Sequence, residues 1–270
     1  MYDRLTSMNV KEVTYRLITF WRVKYLTKSN VVNYINEDDK CFIHYALFPL
    51  DKSFSGCLNE LPDDTMFDLY GVNIDISGIN WSKDYIDQYT YPNEHVSKMN
   101  LHKYLDREVK NVLELHRLHF LVGLAIKYNI TKEKSLYDTI MLGIKDWVNK
   151  NPFPYGMAWV SPTINAKRLV SLLFVWNLLS LNDKEDSLEL RKILIRSFNE
   201  HIHIIINTLS LYSSGNNHLT AELIGAFVTL KSFESLLSSK GKKLLDNIAS
   251  KLSELIIEQN YSDGKNKESA

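Results

Sequence analysis

From about residue 103 to the end of the chain, apolar residues recur every three or four positions, the spacing of helices that bury one face. Leu105, Val109, Val112, Leu113, Leu115, Leu118 and Phe120 predict a helix running to about residue 128. Thr131, with Lys132-Glu133-Lys134, opens a second that ends near Asn151-Pro152. Ala166 to Leu181, Ser187 to Leu209, His218 to Ser235 and Lys240 to Glu258 predict four more. Apart from the aromatic, Pro-rich link 152–162, the connections are short, so consecutive helices are expected to run antiparallel as hairpins. Too many wide-faced helices stand in series for a four-helix bundle. The expected fold is all-α, an incomplete α/α toroid or solenoid of helical hairpins over residues 101–270.

The first hundred residues read differently. Val13, Leu17, Phe20, Trp21 and Tyr25 form one apolar helical face over residues 10–28, with Arg16, Arg22, Lys24 and Lys28 around it. That pattern predicts a helix docked by its apolar face, with a membrane-surface helix as the alternative. Residues 30–100 have weak periodicity and are rich in Asn, Asp, Tyr and Pro; 41–48 and 70–76 are short strand candidates. Residues 77–95 read as a long aromatic loop, of a length usually reserved for function or for self-packing. Residues 1–100 are therefore expected to form an irregular region packed on the helices.

Composition narrows the function. Thirty-two basic residues balance 32 acidic ones, which removes overall basicity as a sign of nucleic-acid binding. Cys41 and Cys57 are too few for a disulfide framework or a zinc cluster. No stretch approaches the roughly 20 apolar residues of a membrane span. The N-terminus lacks the pattern of a secretory signal, so the chain as written is expected in the cytoplasm, or in the periplasm or outside if its native start differs. No cofactor and no metal is expected: His116 and His119 are three apart but have no third ligand at a persuasive spacing.

Three segments carry candidate chemistry. In Leu211-Tyr-Ser-Ser-Gly-Asn-Asn-His218, a polar turn with Gly215 leads into a new helix, placing Asn216, Asn217 and His218 at a helix N-terminus, where anions are favoured. Asn217 donates through its amide, and His218 donates or accepts near neutral pH. The same residues would serve equally as a helix cap and a packed first turn. In the second segment, Lys110, Glu114 and Arg117 share a helix face, as a binding row or a solvated charge ladder. The third is the aromatic link Pro154 to Pro162, which holds Trp159 and precedes Arg168; it suits sugar stacking and carboxylate binding, or plugging of the helix ends.

In this order the segments resemble the N-terminal helical domain of the heparinase II/III family of polysaccharide lyases. The resemblance also takes in Met1-Tyr-Asp-Arg-Leu-Thr-Ser-Met8, Ser77-Gly-Ile-Asn-Trp81, Asp146-Trp147 and Gly156, and it is sharpest at Tyr212-Ser-Ser-Gly-Asn-Asn-His218 with Glu222 and Gly225. It implies an incomplete α/α toroid followed in the family by a β-sandwich domain, and β-elimination of uronic-acid polysaccharides. It implies that Asn217 and His218 neutralise the uronate carboxylate, which stabilises the carbanion-like transition state. It further implies that Asn216, Tyr212, Trp159, Arg168, Glu114, Arg117 and Trp81 line or brace the cleft, and that an acidic polysaccharide is the partner.

Two departures stand out. The family's base and acid Tyr follows an Asp-Gly…Glu stretch; here Asp263-Gly264 and Glu268 are followed by Ala270. The resemblance therefore implies a chain cut short of that Tyr, with little turnover alone, an exposed apolar patch on helix 240–258 and self-association through an open toroid edge. Ile164 and Asn165 stand where many relatives carry a Glu before the helix Arg, which changes the substrate details. A glycan-binding module without chemistry, linked to surface-polysaccharide assembly, and a purely structural solenoid are the other readings.

Overall fold

The computed structural model describes residues 9–37, 65–181, 187–212 and 217–259, with the side chain of His102 left aside. Cys41 and Cys57, the strand expected at 41–48, Asn216 and the Asp263 to Ala270 stretch lie outside the described residues.

The chain is mostly helical, with one small two-stranded sheet among the described residues. Helix α1 (Val10–Lys24) is capped by Asn9, whose Oδ1 accepts from the Glu12 amide at 2.9 Å. It docks by an unexpected face. Tyr15 Oη donates to the Leu209 carbonyl at 2.7 Å, Glu12 is buried with Arg16 on it at 2.9 Å, and Val23 packs on the core. The apolar face expected to dock points outward, with Leu17, Phe20 and Tyr25 58, 56 and 60% exposed.

Strands β1 (Met66–Leu69) and β2 (Val72–Asp75) pair antiparallel, Leu69 opposite Val72. The two-residue turn Tyr70-Gly71 has positive φ at both positions (54° and 85°), the geometry whose twist matches a hairpin. Only β2 falls within the strand expected at 70–76; β1 is an addition to it. Phe67 stacks on Phe120 at 3.9 Å, which fixes the hairpin against the helices. The aromatic stretch 77–95 is irregular, as expected, and is pinned from below: Trp81 Nε1 donates to Asp146 at 2.8 Å, and Asn111 donates to Asp84 at 3.2 Å.

The single helix expected from 103 to 128 is two. A short α2 (Lys110–Leu115) ends, Leu118 turns left-handed (φ 58°), and α3 (His119–Thr131) starts in a new direction. Then follow α4 (Lys134–Lys150), α5 (Pro162–Leu178), α6 (Leu188–Asn207), α7 (Asn217–Ser232) and α8 (Ser239–Gln259). Helix α5 begins four residues before the expected Ala166 because Ser161 caps it and Pro162 suits its first position.

Helix α5 is the centre, packed against α3, α6 and α7, while α4 rests on α3 and α8 on α7. Helices α5 and α7 run parallel. Thr163 meets Glu222, and one turn further along both helices Ala166 meets Gly225 so closely that a Cβ on Gly225 would lie 2.9 Å from the Ala166 Cβ. Helix α3 follows the same direction: His119 lines a groove with Lys167 near their starts, and Asn129 donates to the Leu178 carbonyl near their ends. The starts of α3, α5 and α7 therefore lie at one end of the fold, and α4, α6 and α8 are the returns. On α8, Leu245, Ile248 and Leu255 are buried, whereas Ile256 and Ile257 are exposed, part of the patch expected there.

Candidate functional site

The common end of α3, α5 and α7 gathers polar side chains. Arg117 pairs with Glu114, and His119 Nδ1 lies 3.7 Å from the other Glu114 oxygen. The hairpin tip reaches the same carboxylate, with Tyr70 Oη 3.5 Å from Glu114 Oε2. Lys167 sits beside them and has no hydrogen-bond partner for its ammonium among the described residues. Burial and the Arg117 charge push Lys167 down from its ordinary value, and Glu114 opposes them. His119 is also held down, by burial first; Arg117 and Lys167 add to this against Glu114.

One helical turn before Lys167, on the same face of α5, Thr163 joins this group to α7. Thr163 Oγ1 donates to Glu222 Oε1 at 2.9 Å and lies 3.1 Å from His218 Nδ1. Glu222 is fully buried and also accepts from the Ser210 amide and hydroxyl, each at 2.7 Å. It thereby ties Ser210 to α7. Asn217 and His218, in the first turn of α7, are exposed. Tyr212 is in the left-handed region (φ 58°), with its ring 5.7 Å from that of Tyr15. A groove of about 500 Å³ leads from His119 and Lys167 along α3, α5 and α7, walled by Val122, Val170, Phe174 and Ile224.

Beneath the cleft lies a buried cation. Arg168 donates to His201 Nε2 at 2.7 Å, to the His116 carbonyl at 2.9 Å, to the Ala158 carbonyl at 2.8 Å and to Asn165 Oδ1 at 2.6 Å. Its guanidinium stacks 4.4 Å from the Trp147 ring and 5.2 Å from Trp159. Burial pushes it down to about 9. Through the His116 carbonyl it holds the turn that carries Glu114 and Arg117.

The family model described as Heparinase II/III N-terminus matches residues 4–270. The chain belongs to this family. No curated protein and no solved structure matches it.

Of the residues singled out in the sequence, this heparinase II/III N-terminal domain brings Glu114, Arg117 and His218 to the common end of α3, α5 and α7, with Asn217 beside His218. Tyr212 stands at the rim on the Tyr15 side. For Trp81, Trp159 and Arg168 the substrate-lining alternative is corrected and the bracing one kept: at 2, 1 and 0% exposure they present no surface to a glycan. Their polar atoms are used inward, Trp81 on Asp146 and Trp159 on the Asn151 carbonyl at 3.2 Å, so they brace the site from below. Sequence reasoning left out Tyr70, Thr163 and Lys167, and weighed His119 only as a metal ligand. The signal for Lys167 and Thr163 was their four-residue spacing, which aligns them on one helix face; Tyr70 had none beyond a turn-forming Tyr-Gly pair. Among the described residues no group of three or more metal-binding side chains assembles. No described helix is long and apolar enough to cross a membrane.

Proposed function

We propose that this domain binds a uronic-acid polysaccharide across the starts of α3, α5 and α7 and supplies the carboxylate-neutralising half of a β-elimination site. The α3 to α8 helices form the arc of an α/α toroid around it. The observation that carries this reading is the Lys167 ammonium beside Arg117, without a hydrogen-bond partner among the described residues, at the end of the fold where α7 also begins. In the reaction a base removes the uronate C5 proton, the electron pair becomes the C4–C5 double bond, and the C4–O glycosidic bond breaks with a proton delivered to the leaving oxygen. The C5 proton is acidic enough only when donors neutralise the adjacent carboxylate. Asn217, Arg117 and Lys167 are those donors, and Glu114 holds Arg117 and His119 in place.

Calorimetric titration with an oligouronate and with its methyl ester tests this. The acid should bind and the ester should not, with affinity falling as salt rises. Lys167→Ala should weaken binding about tenfold, the loss of one hydrogen bond to a charged group. Equal affinity for acid and ester would overturn the reading.

A further inference from the structure

The Thr163 hydroxyl determines which nitrogen of His218 is free. A threonine hydroxyl has one proton. Thr163 gives that proton to Glu222 Oε1 at 2.9 Å, an oxygen that also accepts from the Ser210 hydroxyl at 2.7 Å. The 3.1 Å contact with His218 Nδ1 must then run the other way, with Nδ1–H donating to the Thr163 oxygen. Glu222 cannot turn to release Thr163 without losing the Ser210 amide and hydroxyl, and it has no exposed surface from which to take water instead.

We infer that Glu222 and Thr163 are positioning residues that lock neutral His218 as its Nδ1–H tautomer, leaving the Nε2 lone pair free at the cleft. This deepens the proposed function and rests on it for its chemical meaning. A neutral His218 held this way accepts a proton or a hydrogen bond at Nε2; it donates to a uronate carboxylate only once protonated. Carboxylate neutralisation at neutral His218 therefore falls to Asn217, Arg117 and Lys167. Thr163 and Glu222 touch no substrate in this scheme; they act through the ring.

The test is ¹⁵N–¹H correlation across the imidazole ring of His218 in the 270-residue chain, assigned by loss of its signals in His218→Gln. In the neutral form the protonated nitrogen should be Nδ1. Thr163→Val, which removes the hydroxyl, should move the population toward Nε2–H; Thr163→Ser, which keeps it, should restore Nδ1–H. An Nε2–H tautomer in the unmodified protein, or no change in Thr163→Val, would overturn the inference. The measurement needs no glycan. An Nδ1–H signal together with failure to bind oligouronate would sink the proposed function and leave the lock standing, and the reverse result would do the opposite.

Discussion

At the scale of single residues, Arg168 and Lys167 divide two tasks between neighbouring positions. Adjacent helical residues point about 100° apart, so one enters the core and the other reaches the cleft. Arg168 satisfies two carbonyls, an amide oxygen and a neutral imidazole. Arg168→Ala should therefore cost at least about 3 kcal/mol in urea unfolding, because several buried acceptors lose their donor together. Lys167→Ala should leave unfolding within about 0.5 kcal/mol, as expected of a residue whose ammonium has no hydrogen-bond partner among the described residues. A large stability loss at Lys167 would show that it belongs to the scaffold. This division was hidden in the sequence, where the arginine attracted attention for its fork of donors. Only the packing of α5 tells which of the two faces Trp147 and Trp159.

Among the elements, the close approach of α5 and α7 matters most to the site. Gly225 lets α7 lie against the Ala166 backbone, with the Ala166 oxygen 2.9 Å from where a Cβ would stand. Both contacts of Thr163 lie within two turns of this point. Gly225→Ala should push the helices apart, costing about 1–3 kcal/mol by overpacking, and should weaken the Thr163 to His218 contact. Wild-type stability with an unchanged His218 imidazole spectrum would contradict it. Helix α1 shows where sequence periodicity misleads. Its apolar spacing is real, yet its inner face is set by Tyr15, Glu12 and Val23: Tyr15 makes a long-range hydrogen bond to Leu209, Glu12 is buried, and Val23 packs on the core. Iodide should accordingly quench Trp21, at 49% exposure, and spare Trp81, Trp147, Trp159 and Trp176, which are at most 2% exposed. Uniform quenching of all five would contradict this packing. The helices of the second half were legible from periodicity, since each buries a continuous face. The break at Leu118 was not, because a left-handed leucine leaves no mark on an apolar pattern.

For the whole molecule, buried titratable groups set how stability follows pH. Burial, with Arg168 adding to it, holds His116 down to about 3 and His201 well below its ordinary value; burial alone lowers His203. Unfolded, each takes a proton as pH falls through about 6.5. The unfolded chain then binds more protons than the folded one, so stability drops on acidification. Glu200 has the opposite sign. Burial raises it to about 7 against the attraction of Lys28 and Arg196, so the folded state keeps its proton where the unfolded state has lost it. Its contribution weakens folding as pH rises from about 4.5 to 7. Three histidines outweigh one carboxyl below about pH 6.5, so the urea midpoint should fall between about pH 7.5 and 5.5. Glu200→Gln should raise stability at about pH 8 by about 1–3 kcal/mol and steepen that fall. A midpoint that rises on acidification would contradict the neutral burial of the histidines.

The proposed function puts an acidic glycan where α3, α5 and α7 begin. The most direct test is a map of backbone amide shifts in the 270-residue chain as an oligouronate is added. Shifts should concentrate at residues 114–119, 163–167 and 217–222. Shifts confined to another surface, such as the outward face of α1, or no shifts at saturating oligouronate, would contradict it.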